Sequence, residues 1–305
     1  MRAPIALTLV LAVLAAGCGG DDAGTGAQER FNAERAFGDL EAQVAIGTRP
    51  SGSEGGEETV ALIASRLRQA GAKDVRVQRP WRNVVATIPG RQPGALVVGA
   101  HHDSKDGIGA GFQGANDGAS GVAVVLELAR ALAADAPLPG RTIHLALFDA
   151  EEARGDREFS LDGLRGSAQY VEYAGAGGLQ KSPELAAIEA MVLFDLVGDC
   201  ELRVPREANS DPGLYGEFEA AAREASGSGS AEPFGGEASG VLDDHIPFIT
   251  AGIPAVNLID FVYGPGPAPG AYWHTPEDTL DKVCVKSLDA VGEPALLAIE
   301  RIAGP

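Results

Sequence analysis

Apolar and polar positions follow two different periods along the chain, and together they predict an α/β fold. Short runs of branched and aromatic residues, typical of buried strands, cover residues 83–90, 94–104, 143–148, 187–198 and 253–261. Apolar residues at helical spacing cover residues 52–71, 118–135 and 287–304. Pro294 lies inside the last of these, where it can kink the helix. Strands separated by helices indicate a single three-layer α/β/α domain with a mixed, mostly parallel central sheet.

The strand at 143–148 ends in an unusual concentration of acid. Asp149, Glu151 and Glu152 follow it, and the next basic residue is Arg154. Carboxylates so close together repel one another, and burial would raise their pKa values. Water, a basic partner or a bound cation must therefore offset the repulsion.

Other strands also end in polar side chains that can bind metal or transfer protons. The candidates at or near strand ends are His101, His102, Asp103, Asp117, Asp149, Glu151, Glu152, Asp195, Asp243, Asp244, His245 and His274. In open α/β sheets, ligands bind beyond the carboxyl ends of the strands. Carboxylates and imidazoles that converge there can satisfy a divalent cation such as zinc. We therefore expect the carboxylates after strand 143–148 to face a metal and a substrate.

Composition narrows the choice of partners. The 305 residues are 45% hydrophobic, enough for a sizeable core. Lys and Arg total 24 against 43 Asp and Glu, for a net charge of −19. Such a chain repels phosphate backbones, so no nucleic acid is expected as a partner.

The N-terminus resembles an export signal. Met1-Arg2 precedes an apolar run over residues 5–16, which is too short to span a bilayer comfortably. The sequence LAAGC at 14–18 resembles a bacterial lipobox, in which Cys18 is lipidated and becomes the mature N-terminus. The alternative is an ordinary cleaved signal with an incidental cysteine. The chain is thus predicted to be an exported lipoprotein on the outer face of the cell membrane, or periplasmic, with its lipid as the only membrane contact.

The chain then divides into three segments. Residues 1–17 are the predicted signal peptide, 18–34 a flexible polar tether and 35–305 the catalytic domain. The two cysteines in that domain, Cys200 and Cys284, can form a disulfide in an exported compartment. Two unpaired buried thiols remain the alternative, because the sequence does not show that the cysteines meet.

Five ordered motifs resemble those of the M28 family of zinc aminopeptidases, over residues 35–303. The motifs are GAHHDS (99–104), GANDGASG (114–121), FDAEE (148–152), LFDLVG (193–198) and YWHTPEDT (272–279). Three details are more similar to the glutaminyl-peptide cyclotransferase branch of that superfamily. They are HHDSK (101–105), DDHIPF (243–248) and Trp273 directly before the expected ligand histidine.

The resemblance implies a zinc aminopeptidase-like fold and an enzyme that acts on the N-termini of peptides or proteins. The first expectation is cyclisation of N-terminal glutamine to pyroglutamate with release of ammonia. The alternative is an M28 aminopeptidase that hydrolyses N-terminal residues with one or two zinc ions. A non-catalytic binding module is the least expected outcome, because every ligand position is filled.

The same resemblance implies roles for individual residues. Asp117, Glu152 and His274 would bind the zinc that both branches share, and Glu151 would be the general acid/base. In the two-zinc aminopeptidases, the residues at His101 and Asp195 hold a second metal bridged by Asp117.

In the cyclases, the residue at Asp195 instead joins a hydrogen-bond network with Asp243. Because this chain retains both sets of groups, one zinc or two remain open, and we predict one. Trp273 and Phe159 would form the apolar substrate wall, Phe159 standing where animal cyclases place a tryptophan. Asn257 stands where those cyclases carry a histidine in the acid–base network.

Some of these residues also have simpler interpretations. Asp243 can instead cap a short helix that starts near His245. Asp149 is expected to orient a metal ligand. His102 is expected to point away from the site, since adjacent strand residues face opposite sides of a sheet.

Overall fold

The computed structural model describes Met1 and residues 30–304. The predicted signal peptide, Cys18 and most of the predicted tether lie outside the described residues. Of the helices described, none is both long enough and apolar enough to cross a membrane.

The folded part of the chain begins earlier than predicted. The backbone N–H groups of Arg30 and Phe31 donate to Glu293 Oε2 at 3.1 and 2.8 Å, and Phe31 is buried. Asn32 caps the first helix by accepting from the N–H of Arg35. Residues 30–34 therefore belong to the domain, and the predicted boundary after residue 34 is wrong. The reason is Phe31, whose apolar ring is buried against the domain in a segment that otherwise reads as polar.

Helices and strands alternate along the described chain. The helices are α1 (Ala33–Val44), α2 (Glu54–Gln69), α3 (Ala119–Ala134), α4 (Phe159–Asp162), α5 (Arg165–Gly175), α6 (Pro212–Ala225), α7 (Ile246–Thr250) and α8 (Val285–Ala303). The strands are β1 (Lys73–Val77), β2 (Val84–Ile88), β3 (Gly90–His101), β4 (Leu138–Phe148), β5 (Ile188–Asp195), β6 (Val204–Glu207), β7 (Phe234–Ala238) and β8 (Ala255–Ile259).

Six strands form one mixed sheet in the order β1-β2-β4-β3-β5-β8. The pairs β1–β2 and β2–β4 are antiparallel, whereas β4–β3, β3–β5 and β5–β8 are parallel. The carboxyl ends of β3, β4, β5 and β8 therefore meet at one edge. Strands β6 and β7 form a separate small parallel sheet.

Helices cover both faces of the large sheet. One face packs against α2, α3, α6 and α8 in the main apolar core, and α1 packs on α3 and α8. The other face packs against α5 and α7 through a smaller core that includes Phe148, Tyr170 and Phe248. The predicted three-layer α/β/α domain with a mixed, mostly parallel sheet is confirmed.

The predicted helices and strands are present, although their ends are shifted. The strands that the sequence did not predict lack apolar runs. Strand β4 begins at Leu138 rather than residue 143, because Pro139 and Gly140 read as a turn. Strand β1, with the sequence KDVRV, lies half-exposed at the sheet edge. Pro294 lies inside α8, which continues through it to Ala303.

Cys200 and Cys284 form a disulfide, with 4.9 Å between their Cα atoms. Two backbone hydrogen bonds join the same segments, from Cys200 N to Lys282 O and from Cys284 N to Gly198 O. The alternative of two separate thiols is wrong, because the tertiary fold places residues 84 positions apart on adjacent extended segments.

Candidate metal and acid–base site

Asp117, Glu152 and His274 come together at the edge where the parallel strands end. His274 Nε2 lies 3.0 Å from Glu152 Oε1 and 3.2 Å from Asp117 Oδ2. One ligand atom from each of the three residues fits within a 4.8 Å group. The three belong to separate chain segments, so only the fold creates this cluster.

A second cluster shares Asp117 with the first. His101 Nε2 lies 3.2 Å from Asp117 Oδ1 and 3.2 Å from Asp195 Oδ1. These atoms also form a group within 4.8 Å, and all three residues are buried. The Asp117 carboxylate therefore presents one oxygen to each imidazole, an arrangement that can bridge two cations.

Backbone in the left-handed region places several of these side chains. Ala150 has φ 58°, directly before the paired glutamates, and Leu196 has φ 49°, directly after Asp195. His274 itself has φ 52°. Non-glycine residues rarely adopt this conformation, and it concentrates where function requires a particular side-chain direction. Three of the seven such residues in the described chain lie at turns that carry the clusters.

A glycine allows α3 to approach His101. Gly118 precedes α3 with φ 68°, directly after Asp117. A Cβ there would lie 2.8 Å from His101 Cε1 and 2.8 Å from Asp103 O. Position 118 thus requires glycine for two reasons, which are its left-handed backbone and its close contact with His101 and Asp103.

Two aspartates hold the ligand-bearing backbone. Asp103 accepts from the N–H groups of Glu151 and Glu152 at 3.1 and 3.2 Å. Asp278 Oδ2 accepts from the N–H of Asp117 at 3.2 Å, and its Oδ1 accepts from Tyr263 Oη at 2.9 Å. Asp103 was predicted only as a candidate ligand and Asp278 was missed, although both lie inside the motifs shared with the M28 family.

Asp149, expected to orient a ligand, has a different partner. Its Oδ2 accepts from the N–H of Arg82 at 2.9 Å, in the loop just before β2. His102 Nε2 lies 3.2 Å from the carbonyl oxygen of Arg82, so this histidine faces away from both clusters as predicted. The prediction for Asp149 is wrong. Ala150 adopts the left-handed conformation between Asp149 and the two glutamates, so the side chains on either side of it point in different directions.

A fully buried cation, which sequence patterns did not reveal, lies behind the site. The Arg49 guanidinium donates to the carbonyl oxygens of Gly47, Gln113 and Gly114 at 2.9, 2.8 and 2.6 Å. Burial lowers the pKa of Arg49 to about 10, while the nearby carboxylates of Asp278 and Asp117 oppose that shift. Arg49 therefore braces the loop that carries Asp117 and offsets part of the negative charge.

The carboxylates have divergent proton affinities. Burial raises the pKa of Glu151 well above its usual range, and the charges of Glu152 and Asp243 raise it further. Burial and Asp243 also raise the pKa of Asp195, to about 7. Burial would raise the pKa of Asp117 too, but its contacts with the two imidazoles lower it instead.

A cavity of about 430 Å³ opens above the clusters. Its buried floor includes Glu151, Asp195 and Asp243, which the sequence predicted as acid–base groups. Trp273 and Phe159, the predicted substrate-binding residues, both line it. The Trp273 ring stacks on the His274 imidazole with 3.7 Å between ring centroids. Further apolar lining residues, which were not predicted, are Val241, Leu242, Ile259 and Phe261.

Asp243 is held by Asn257 rather than by a helix. Asn257 Nδ2 donates to Asp243 Oδ2 at 2.7 Å, and both residues are buried. His245 occupies the cap position of α7, and no side chain caps that helix. The alternative role of Asp243 as an N-cap is therefore wrong. The side-chain amide of Asn257 therefore contacts Asp243 directly.

The donor set suits a divalent cation. Asp117 Oδ2 and Glu152 Oε2 are buried and, within the described chain, accept no hydrogen bond. Burial would lower the pKa of His274, but the carboxylates of Asp117 and Glu152 raise it to about 10. A proton on this imidazole would offset the negative charge of the two carboxylates. A bound metal would displace that proton, because a ligating histidine is neutral. One imidazole and two carboxylates match a catalytic zinc site with an open position.

Known proteins share this architecture. A glutaminyl-peptide cyclotransferase of Bothrops jararaca is 31% identical over 70% of this chain, and the chain spans 64% of that protein's length. The crystal structure of an Acidobacteriales bacterium glutaminyl cyclase matches with TM-score 0.77 at 29% identity, over 93% of this chain and 99% of that one. A Zn-dependent exopeptidase from Parabacteroides distasonis has TM-score 0.73 at 24% identity, over 90% and 99%, which is a likeness of fold alone.

These similarities confirm the resemblance drawn from the motifs. The model of peptidase family M28 matches residues 83–299, a stretch that includes both clusters and the strands that carry them. The chain belongs to peptidase family M28.

Proposed function

We propose that this protein is a zinc-dependent glutaminyl-peptide cyclotransferase that converts N-terminal glutamine to pyroglutamate and releases ammonia. The observation that carries the proposal is the shared cavity, in which Glu151, Asp195 and Asp243 lie beside the Asp117–Glu152–His274 cluster under an aromatic wall. The similarity to glutaminyl cyclases along nearly the whole of one solved structure supports it. Its substrates would be the N-termini of peptides or proteins.

The zinc-binding residues and Glu151 would have different roles in the reaction. Zinc, held by Asp117, Glu152 and His274, would supply a Lewis acid for the γ-carbonyl of the substrate glutamine. Glu151 takes a proton from the α-amine as the nitrogen attacks the carbonyl carbon (Cδ) of the side-chain amide, and returns it to the amide nitrogen that leaves as ammonia. The C–N bond of the ring forms and the γ-amide C–N bond breaks, so no water is consumed.

The other cavity residues support proton transfer and exclude water. Asp195 and Asp243 lie on the same floor, where they can hold the substrate amine and stabilise a protonated Glu151. Trp273 and Phe159 provide apolar surface above them. A dry cavity favours attack by the substrate's own amine over attack by water. One zinc ion is sufficient for this scheme.

The second cluster favours an alternative. His101, Asp117 and Asp195 could hold a second cation, and a pair of metals sharing one carboxylate suits hydrolysis of an N-terminal peptide bond. In that case Glu151 would accept a proton from the attacking water. This aminopeptidase function is the second candidate.

One experiment separates the two functions. Purified protein is analysed for metal and incubated with a Gln-initiated peptide and, separately, a Leu-initiated peptide. A mass loss of roughly 17 Da from the first, the departure of ammonia, supports cyclisation. Release of free leucine from the second, with two zinc ions per chain, would establish the aminopeptidase instead.

We also propose that the protein is an exported lipoprotein. The basis is the sequence alone, in which residues 1–17 form a signal peptide and Cys18 the lipidated N-terminus. Since residue 30 already belongs to the folded domain, the tether would comprise residues 18–29. Loss of membrane association in Cys18→Ser, measured by fractionation of cells, tests this placement.

A further inference from the structure

A buried carboxylate outside the cavity gathers hydrogen bonds from two directions. Glu207 ends β6 and is 1% exposed. Its Oε2 accepts from the N–H groups of Asn209 and Val241 at 2.9 and 3.2 Å. Its Oε1 accepts from Ser210 Oγ at 2.6 Å and lies 3.2 Å from His245 Nε2. Both carboxylate oxygens are thus occupied, although Glu207 touches neither metal cluster.

The first direction leads along the chain to the cavity wall. Val241 and His245, both in contact with Glu207, each stand two residues from Asp243. Asn209 Nδ2 also donates to the Val241 carbonyl oxygen at 3.1 Å. Both ends of the segment that carries Asp243 therefore contact Glu207, and the Val241 end also bonds to the loop after β6.

The second direction leads to the Asp243 side chain. Ser210 Oγ, which donates to Glu207, accepts from the backbone N–H of Asn257 at 2.8 Å. Asn257 Nδ2 in turn donates to Asp243 Oδ2 at 2.7 Å. All of these residues are at most 3% exposed, so water does not compete for the bonds.

We propose that Glu207 and Ser210 are positioning residues, which fix the Asp243 carboxylate on the cavity floor. The proposal rests on the proposed function in so far as Asp243 serves the reaction. A buried carboxylate with partners on both oxygens holds its neighbours in fixed directions, which suits a side chain whose direction must not vary. Small misplacements of a reacting group cost large factors in rate.

The test compares two variants that each delete one buried hydroxyl near β6. Ser210→Ala removes the bond that leads to Asn257. Tyr215→Phe, the control, removes a hydroxyl that donates to Val204 O at 2.7 Å and accepts from Gly235 N at 2.8 Å, on the side away from the cavity. Both variants lose buried hydrogen bonds, so a merely structural role would affect them alike.

We expect Ser210→Ala to lower kcat about tenfold, with KM changed less than about twofold and metal content unchanged, as for the loss of orientation rather than of binding. Tyr215→Phe should keep wild-type kcat. Glu207→Gln, which preserves shape, should also lower kcat, and Ser210→Thr, which restores a hydroxyl, should recover part of the loss. Equal kcat in Ser210→Ala and Tyr215→Phe would overturn the proposal.

A crystal structure of Ser210→Ala separates this proposal from the proposed function. A displaced or rotated Asp243 carboxylate supports positioning even if the wild-type protein forms no pyroglutamate, an outcome that would refute only the proposed function. An Asp243 that keeps its wild-type place, together with undiminished pyroglutamate formation, refutes positioning while the proposed function stands.

Discussion

His101 Nε2 lies 3.2 Å from Asp195 Oδ1, and Asp195 lines the cavity together with Glu151. The contact can serve as a hydrogen bond between an imidazole and a carboxylate, or its two atoms can coordinate a second cation. Desolvation lowers the pKa of His101, but its contacts with Asp103, Asp117 and Asp195 raise it well above the usual range. A protonated His101 would therefore offset part of this negative charge without a second metal.

Variants of this pair test whether one metal suffices. We expect His101→Ala to retain the metal held by Asp117, Glu152 and His274 and to keep much of its activity. Asp195→Asn should lower turnover by about two orders of magnitude or more without removing that metal, because it loses an acid–base partner. Metal analysis and steady-state kinetics check both. Loss of one of two bound zinc ions in His101→Ala, with collapse of activity, would contradict the expectation.

His274→Ala should abolish activity and lower the zinc content well below that of the wild type. The imidazole is the only nitrogen in its cluster, so its loss leaves two carboxylates, a poorer zinc site. The matched control is His144→Ala, since His144 lies within β4 and belongs to neither cluster. Atomic absorption on the purified variants gives the answer. Full zinc retention in His274→Ala would exclude this ligand assignment.

Glu151→Gln and Glu152→Gln should differ in phenotype although the residues are adjacent. Glu152 Oε1 lies 3.0 Å from His274 Nε2, so its replacement should release metal. Glu151 belongs to neither metal cluster, so Glu151→Gln should retain zinc and lose about two to four orders of magnitude in kcat. Metal content and kcat are measured on both variants. Loss of metal in Glu151→Gln and retention of metal in Glu152→Gln would show that Glu151 is the ligand and Glu152 the acid/base.

Removal of the Cys200–Cys284 disulfide should lower the free energy of unfolding by about 2–5 kcal/mol, since the bond closes a long loop. Its sequence separation is 84 residues. The double variant Cys200→Ser, Cys284→Ser is compared with the wild type by urea unfolding, with and without reductant. Reductant should destabilise the wild type alone. Equal stability of both proteins without reductant would show that the crosslink does not form.

Glu207 should make the stability of the fold depend on pH. Burial raises its pKa, but contacts with His245, Ser210 and Asn209 outweigh burial and lower the pKa to about 2. A lowered carboxyl pKa stabilises the fold at pH values above that of a free glutamate, and the contribution is lost as the pH falls towards 2. The ionised Glu207 carboxylate thus contributes on the order of 3 kcal/mol to the free energy of unfolding near neutral pH.

Glu207→Gln should therefore be less stable than the wild type near pH 7, and the difference should shrink between about pH 4.5 and 2. Thermal unfolding across that range measures it. Glu237→Gln is the control, because the Glu237 side chain is 77% exposed in the neighbouring strand β7. A stability difference for Glu207→Gln that does not change with pH would contradict the assigned pKa.

Much of this protein follows from its sequence. Apolar runs located β2, β3, β4, β5 and β8, because a strand buried on both faces has no polar positions to obscure it. The ordered motifs singled out Asp117, Glu152 and His274 as candidate metal ligands, and the fold brings these three residues into one group. The half-exposed β1 and the small β6–β7 sheet escaped detection for the opposite reason, since polar residues, proline or glycine interrupt any apolar run in them.

Only the tertiary structure decided which distant groups meet. It joined Cys200 to Cys284, gave Asp149 to Arg82 rather than to a ligand, and placed the buried Arg49 behind the Asp117 loop. It also linked Glu207 to Asp243 through Ser210 and Asn257. A strand or turn is specified by neighbours along the chain, whereas a buried hydrogen bond between remote segments depends on packing, which assembles partners that no local pattern relates.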